Sequence, residues 1–119
     1  MVRINVRMSV DTVGSRGWAV PNVTSWRARD VRQVVGRELE RVQRGANPTD
    51  WKPMASVGPG AREIRVHVGG ERRVVYVATF PEAVYVLHVF EKKTRKTSKR
   101  DLALGQQRYE AMAQGRRTL

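Results

Sequence analysis

The stretch from Val84 to Leu102 reads VYVLHVFEKKTRKTSKRDL and contains the two features that decide the fold and the function of this chain. Its opening segment, Val84 to Phe90, is almost entirely apolar, which is typical of a central strand buried on both faces. From Lys92 to Arg100, six of nine residues are basic and none is acidic. Ser98 and Asp101 then form a capping-box pattern that predicts the start of a last helix. The basic run is therefore held between two elements of the core.

A predicted hairpin precedes this central strand. Two strand segments, Glu63 to Val68 and Arg73 to Phe80, flank Gly69 and Gly70, whose tolerance of positive φ suits a tight turn. Because side chains alternate along a strand, Glu63, Arg65 and His67 share one face, and Arg72 and Arg73 begin the partner strand. The hairpin thus gathers arginine and histidine on one side of the sheet.

The other elements are predicted by periodicity. Alternation over residues 2–10 predicts a strand, and apolar residues at helical spacing predict a helix over 26–44 that Gly45 ends. Residues 11–25 show no sustained period. Residues 47–60 are rich in Pro, Gly and Asp and are predicted to form a loop anchored on the core, and Gly115 is expected to end the last helix.

This order of elements predicts a single α+β domain over residues 1–119. Its antiparallel sheet of about four strands is flanked by helices.

Composition points to a polyanionic partner. The 119 residues include 23 Lys and Arg against 11 Asp and Glu, a formal net charge of +12. A charge this large disfavours the compact state unless phosphate groups offset it, so nucleic acid is the leading partner class. The chain has no cysteine, which excludes disulfide frameworks and thiolate zinc sites. We expect an intracellular protein with no cofactor, no metal and no membrane segment.

The basic groups suggest a ribonuclease site. If helices cover the other face of the sheet, Arg65, Arg73 and the turn over residues 92–96 line one concavity that cradles a phosphate. Metal-free RNA cleavage needs a base, neutralisation of the phosphorane charge and an acid. Lysines crowded by other cations release their protons more readily, so Lys92 or Lys93 is a candidate base or acid, with Glu63 or His67 as alternatives.

Other polar and aromatic residues are expected to pack in the core or to contact RNA without taking part in catalysis. His88, inside the apolar run, is expected to be a hydrogen-bonded core residue, and Tyr109 is expected to pack on the core. The predicted RNA contacts are Arg62, His67, Arg95, Lys96, Lys99 and Arg100.

Beyond these patterns, the run from Val84 to Leu102 resembles the phage-derived HigB-like branch of the RelE/ParE toxin superfamily. The resemblance extends over about residues 30 to 112. It includes DWKPM (Asp50–Met54), VGPGAREIRV (Val57–Val66), RVVYVATF (Arg73–Phe80) and RDLALGQQRY, which ends at Tyr109.

The resemblance implies a compact RelE-like α+β fold and an endoribonuclease, or mRNA interferase, that cuts mRNA, usually on the translating ribosome, and thereby inhibits translation. It implies a cytoplasmic toxin whose partners are mRNA, the ribosome and a cognate helix-turn-helix (HigA-like) antitoxin. The basic positions that contact or cleave RNA in such toxins correspond here to Arg65, Arg73, Lys92 and Lys93.

Two departures from the family pattern stand out. Residues 1–29 are atypical because Gly14, Gly17 and Pro21 fall where a regular helix is usual. Ser98 replaces a frequent proline, and serine also caps a helix well. Two alternatives stay open, namely a ParE-like toxin that poisons DNA gyrase and a decayed toxin homologue that binds RNA without cutting it.

Overall fold

The computed structural model of the protein describes residues 5–8, 29–68, 70–81 and 83–117. Its elements are β1 (Asn5–Met8), α1 (Arg29–Gln43), β2 (Trp51–Pro53), β3 (Ala61–Val66), β4 (Arg72–Val77), β5 (Ala83–Glu91) and α2 (Lys99–Arg117). The predicted α+β class is confirmed. The irregular segment 11–25 and the atypical helix region lie outside the described residues. Among those described, no helix is both long and apolar enough to cross a membrane.

The strands form one sheet in the order β1-β5-β4-β3-β2. Strands β2 to β5 are antiparallel neighbours, which confirms an antiparallel sheet of four strands, although β2 lies in a segment that was predicted as a loop. Strand β1 extends it as a fifth strand that runs parallel to β5, with Val6 opposite Val84. Strand β5 therefore has a neighbour on each side, and Val84 and Val86 are fully buried, as the apolar run predicts.

Three element boundaries test the sequence predictions. Helix α1 ends as expected, because Gly45 has a φ of 86° and its amide donates to the carbonyl of Val42. The predicted loop over 47–60 is partly wrong, since β2 lies within it and pairs Trp51 with Ile64. Helix α2 continues through Gly115 to Arg117, so Gly115 does not end it. A glycine inside a helix costs only about 1 kcal/mol, too little to stop a helix by itself.

Each helix covers a different face of the sheet. On one face, α1 packs into a core of Val35, Leu39, Val42, Ile64, Val66, Val74, Tyr76, Val84, Val86 and Val89. On the opposite face, α2 packs Leu102, Tyr109 and Met112 against Met54, Val57, Ala61, Val75, Val77, Leu87 and Phe90. Strand alternation, which sends successive side chains to opposite faces, accounts for the two cores, except that a register shift in the β4–β5 pairing at Leu87 offsets the pattern in β5 by one residue.

Helix α2 is fixed by close contact with the loop that precedes β3. The hydroxyl of Tyr109 donates to the carbonyl of Pro59 over 2.6 Å. A Cβ at Gly58 would lie 2.6 Å from the Tyr109 ring, so only glycine allows this approach. The predicted packing role of Tyr109 is confirmed. Because α2 packs mainly on β5, the part of this face beyond Ala61 of β3 carries polar side chains, namely Lys52, Glu63 and Arg65.

Candidate functional site

The part of the sheet beside α2 carries a cluster of charged side chains. Arg65 on β3 lies directly opposite Arg73 on β4, and Lys52 on β2 lies opposite Glu63 on β3. Arg73 also lies opposite Phe90, whose ring belongs to the α2 core. Strand register therefore brings the two predicted arginines to one face, at the border of the apolar core.

Glu63 is the anionic centre of this cluster. Its side chain is 0% exposed, and one carboxylate oxygen lies 3.7 Å from Lys52 Nζ, 3.9 Å from Arg65 Nε and 3.7 Å from Arg73 Nε. Neither oxygen has a hydrogen-bond partner among the described residues. The three cations offset the high cost of burying this carboxylate. Since its side chain is fully covered, Glu63 has no direct access to a substrate in this arrangement, and its alternative role as acid or base stays a prediction.

Arg73 is held from two sides. Its guanidinium lies between the buried Glu63 and the exposed Glu71, whose carboxylate accepts a hydrogen bond from Arg73 Nη1 over 3.1 Å. The same Nη1 donates to the carbonyl of Arg72 over 3.0 Å. Only 8% of the Arg73 side chain is exposed. These contacts fix the orientation of the guanidinium before any ligand binds.

His67 lies between two carboxylates. Its Nε2 is 2.8 Å from Asp50 and its Nδ1 is 2.8 Å from Glu71. Carboxylates only accept hydrogen bonds, so both ring nitrogens donate and the imidazole carries a positive charge. The hydrogen bonds to Asp50 and then to Glu71 raise the pKa of His67 above 6.5. The bond from His67 likewise lowers the pKa of Asp50 and of Glu71.

The basic loop over residues 92–98 begins next to this cluster. The amide of Lys92 donates to the carbonyl of Glu71 over 2.7 Å, which extends the pairing of β4 and β5 by one step. Lys92 continues the face of Phe90, whereas Lys93 follows Glu91 and lies 3.9 Å from its carboxylate. Glu91 also pairs with Arg72 over 3.5 Å. Strand alternation, continued one residue past the end of β5, puts Lys92 rather than Lys93 on the side of Arg73.

Four basic side chains that follow Lys93 in the sequence are not paired with a carboxylate among the described residues. Arg95, Lys96, Lys99 and Arg100 are exposed, and within the described part of the chain none forms an ion pair. The hydroxyl of Thr94 donates to the carbonyl of Lys96 over 2.5 Å, which tightens the turn. The site thus has two parts: a cluster whose charges are paired internally, and a loop whose charges face solvent.

The far end of the basic loop is anchored by a buried network. Ser98 caps α2 by accepting a hydrogen bond from the Asp101 amide over 3.1 Å, which confirms the predicted capping pattern. Asp101 also accepts from His88 Nε2 over 2.8 Å. Arg108 lies 2.8 Å from His88 Nδ1. A guanidinium only donates, so His88 is the neutral tautomer protonated at Nε2 and is a hydrogen-bonded core residue, as expected.

Arg62 lies on the other side of the sheet from Arg65. Its guanidinium stacks 4.3 Å from the centre of the Trp51 ring and contacts Asn47 over 3.5 Å. The strand prediction began at Glu63, one residue after Arg62, and strand alternation sends Arg62 to the α1 face. The structure therefore does not bring Arg62 together with the other predicted RNA contacts.

The sequence indicated three of the four cations of the cluster and one of its three carboxylates, Glu63. Arg65, Arg73 and His67 were predicted, whereas Lys52, Asp50 and Glu71 were not singled out. Lys52 and Asp50 lie next to Trp51, in the segment predicted as a loop, so nothing in the pattern placed them beside β3. Glu71 directly follows the Gly69–Gly70 pair, at which the sequence predicts a turn, and the spacing of His67 and Glu71 across that pair was the available signal.

Together, fold and site define a small basic α+β domain that presents clustered arginine and histidine beside a cationic loop. Residues 28–110 match the sequence model of the family described as "Phage derived protein Gp49-like (DUF891)". The chain belongs to this family, a phage-derived family of toxins of the RelE/HigB type. Searches of curated proteins and of solved structures found no significant match.

Proposed function

We propose that this protein is the toxin of a type II toxin-antitoxin system, a metal-independent endoribonuclease that cleaves mRNA on the translating ribosome. Membership of a phage-derived toxin family supports the toxin role and implies an antitoxin partner. The observation that carries the nuclease assignment is the pair of Arg65 and Arg73, opposed across β3 and β4 beside a loop of free cations. In this proposal the protein acts in the cytoplasm, and its inhibitor is a helix-turn-helix (HigA-like) antitoxin.

The proposed chemistry is attack of a ribose 2′-oxygen on the adjacent phosphorus. The new bond to the 2′-oxygen forms as the bond from phosphorus to the 5′-oxygen breaks, which leaves a 2′,3′-cyclic phosphate and a 5′-hydroxyl end. Negative charge builds up on the phosphorane, and in this proposal Arg65 and Arg73 neutralise it. Their guanidinium groups suit this role because they bind phosphate oxygens in a fixed planar geometry.

Two protons must move in this reaction. His67, held as an imidazolium by Asp50 and Glu71, is the candidate acid that protonates the departing 5′-oxygen. Lys92 or Lys93 is the candidate base that takes the proton of the 2′-hydroxyl. The position of Lys92 on the Arg73 side of the sheet favours it over Lys93.

A second candidate function is RNA binding without cleavage. It is favoured by the internal pairing of the arginine cluster, in which Glu63, Glu71 and Asp50 bring three negative charges to Lys52, Arg65, Arg73 and His67. A cluster neutralised in this way stabilises a phosphorane less than free cations do.

The test is expression of the protein without an antitoxin. We expect growth arrest with ribosome-bound mRNA cut, and we expect Arg73→Ala and the Lys92→Ala/Lys93→Ala double variant to relieve both. Arg37→Ala, which removes an exposed cation of α1, is the matched control and should leave both unchanged. Growth arrest with intact mRNA and gyrase-linked DNA damage would show a ParE-like toxin instead. RNA binding with intact mRNA would show the binding-only alternative.

A further inference from the structure

The carboxylate of Glu71 lies where two cationic donors converge. It accepts from Arg73 Nη1 over 3.1 Å, and its two oxygens lie 2.8 and 3.0 Å from His67 Nδ1. A guanidinium and an imidazolium that point at one anion form a donor set that also suits a phosphate group, which offers the same kind of acceptor oxygens with more charge. Glu71 therefore occupies a place that an external anion can take.

The backbone of Glu71 is fixed while its side chain is exposed. Its carbonyl accepts the amide of Lys92 over 2.7 Å, which ties it to the end of β5. The side chain is 46% exposed and projects from the turn before β4. Rotation about its side-chain bonds moves the carboxylate into solvent without moving either strand, so release of this anion does not require unfolding of the hairpin.

The two donors remain in place when Glu71 leaves. Arg73 keeps its contact with the buried Glu63 and its hydrogen bond to the carbonyl of Arg72. His67 keeps its 2.8 Å hydrogen bond to Asp50, which precedes β2. The contacts that orient both donors are therefore independent of Glu71.

We propose that Arg73 and His67 form an anion subsite, which the Glu71 side chain occupies in the free protein and a phosphate group of RNA occupies after displacing it. The proposal rests on the proposed function because it takes RNA as the ligand. It adds that the Glu71 carboxylate competes with RNA phosphate for Arg73 and His67. Glu71 weakens RNA binding because each bound phosphate at this subsite must replace an existing pair of charged hydrogen bonds. The exposed loop cations then hold the neighbouring phosphates.

The experiment measures binding of an RNA whose 2′-hydroxyls are methylated, so that it is bound and not cut. Fluorescence anisotropy at low salt compares the wild type, Glu71→Gln and Glu110→Gln. Glutamine keeps the shape of glutamate and removes its charge. Glu110 is exposed on α2 and, among the described residues, forms no ion pair, so its variant controls for net charge. Melting temperatures confirm that each variant is folded.

We expect Glu71→Gln to bind this RNA about fivefold more tightly than the wild type, and Glu110→Gln to gain less than about twofold. The gain in affinity should disappear when Glu71→Gln is combined with Arg73→Ala. A second combination, with His67→Gln, repeats the test at an exposed residue in case the buried Arg73 is needed for folding. Equal affinity of Glu71→Gln and the wild type overturns the proposal. A gain in affinity that persists in both the Arg73→Ala and the His67→Gln variants also overturns the proposal, because the gain then reflects net charge alone. A failure of every variant to bind the RNA overturns it as well.

Cleavage of unmodified RNA is measured separately, so the two proposals fail independently. A gain in Glu71→Gln together with no cleavage by the wild type supports the subsite and contradicts the nuclease function. Cleavage by the wild type together with no gain in Glu71→Gln supports the nuclease function and overturns the subsite.

Discussion

His88 on β5 donates a hydrogen bond from Nε2 to the carboxylate of Asp101, 2.8 Å away in the first turn of α2. The basic loop runs between these two residues, and its other end is tied to Glu71 by the amide of Lys92. Both ends of the loop are thus attached to the sheet. A cationic segment held in this way presents its charges in one arrangement instead of many, which lowers the entropy cost of binding an extended polyanion.

The anchor at Asp101 leads to the first prediction. Asp101→Ala removes the acceptor of the buried His88 Nε2 and of the exposed Ser98 hydroxyl, so we expect the free energy of unfolding to fall by about 2 kcal/mol. Asp101→Asn keeps an acceptor oxygen and should cost less. Urea denaturation measures both values, and amide hydrogen exchange over residues 99–102 should accelerate in the alanine variant. An alanine variant as stable as the wild type would show that the network does not hold the helix.

The second prediction concerns the buried carboxylate of Glu63. Glu63→Ala removes the charge that faces Arg73, whose side chain is only 8% exposed, and removal of one partner from a buried ion pair costs about 3 kcal/mol. Glu63→Gln preserves the volume and should be intermediate. The control is Glu110→Gln on the exposed face of α2, which should change stability by less than about 0.5 kcal/mol. Urea denaturation curves that coincide for Glu63→Ala and the wild type would contradict the role of Glu63 as the centre of the cluster.

His67 provides the third prediction, a shifted titration. Its pKa should exceed 6.5 because it donates hydrogen bonds to Asp50 and to Glu71, and Asp50→Asn should lower it more than Glu71→Gln does. NMR titration of the imidazole measures each value. A pKa raised in the folded state stabilises the fold fully below the unfolded pKa, and this contribution is lost as pH rises through the folded pKa. His67→Gln should lack this part of the pH dependence. A His67 pKa at or below 6.5 would mean that the two carboxylates do not bind it in solution.

Salt dependence supplies the fourth prediction. If the loop cations contact phosphates, the logarithm of the RNA association constant falls with the logarithm of salt concentration by about 0.7 per contact. The Arg95→Ala/Lys96→Ala double variant should therefore reduce the slope by about 1.4, whereas Arg37→Ala should leave it unchanged. Binding that does not respond to salt, or equal slopes for all three proteins, would exclude the loop from phosphate contact.

Sequence patterns were sufficient where a local rule decides the structure. The apolar run over 84–90 is the buried strand β5, Ser98 caps α2, and Gly45 ends α1. The patterns failed where contacts between residues far apart in the sequence determine the structure. Strand β2 has three residues and exists only through its pairing with β3, so no local signal marks it. Helix α2 passes Gly115 because a single glycine costs a helix only about 1 kcal/mol.

In the candidate site too, local patterns predicted some features, whereas those that depend on long-range contacts were missed. Alternation along β3 correctly grouped Arg65 with His67, and the hairpin brought Arg73 to them. The sequence did not reveal that Glu63 would be fully buried beneath these cations, or that Asp50, 17 positions before His67, would bind its ring. Pairing of charges depends on which strands become neighbours. For this reason the net charge of the chain predicts a polyanionic partner, but it does not predict which basic side chains lack a carboxylate partner.

The most direct test of the nuclease assignment is transcriptome-wide mapping of RNA 5′-hydroxyl ends after induction of the protein. We expect new ends concentrated within translated reading frames for the wild type and for Arg37→Ala, and none above background for a folded Arg73→Ala variant. An absence of new ends in the wild type, or the same ends in the Arg73→Ala variant, would contradict the nuclease assignment.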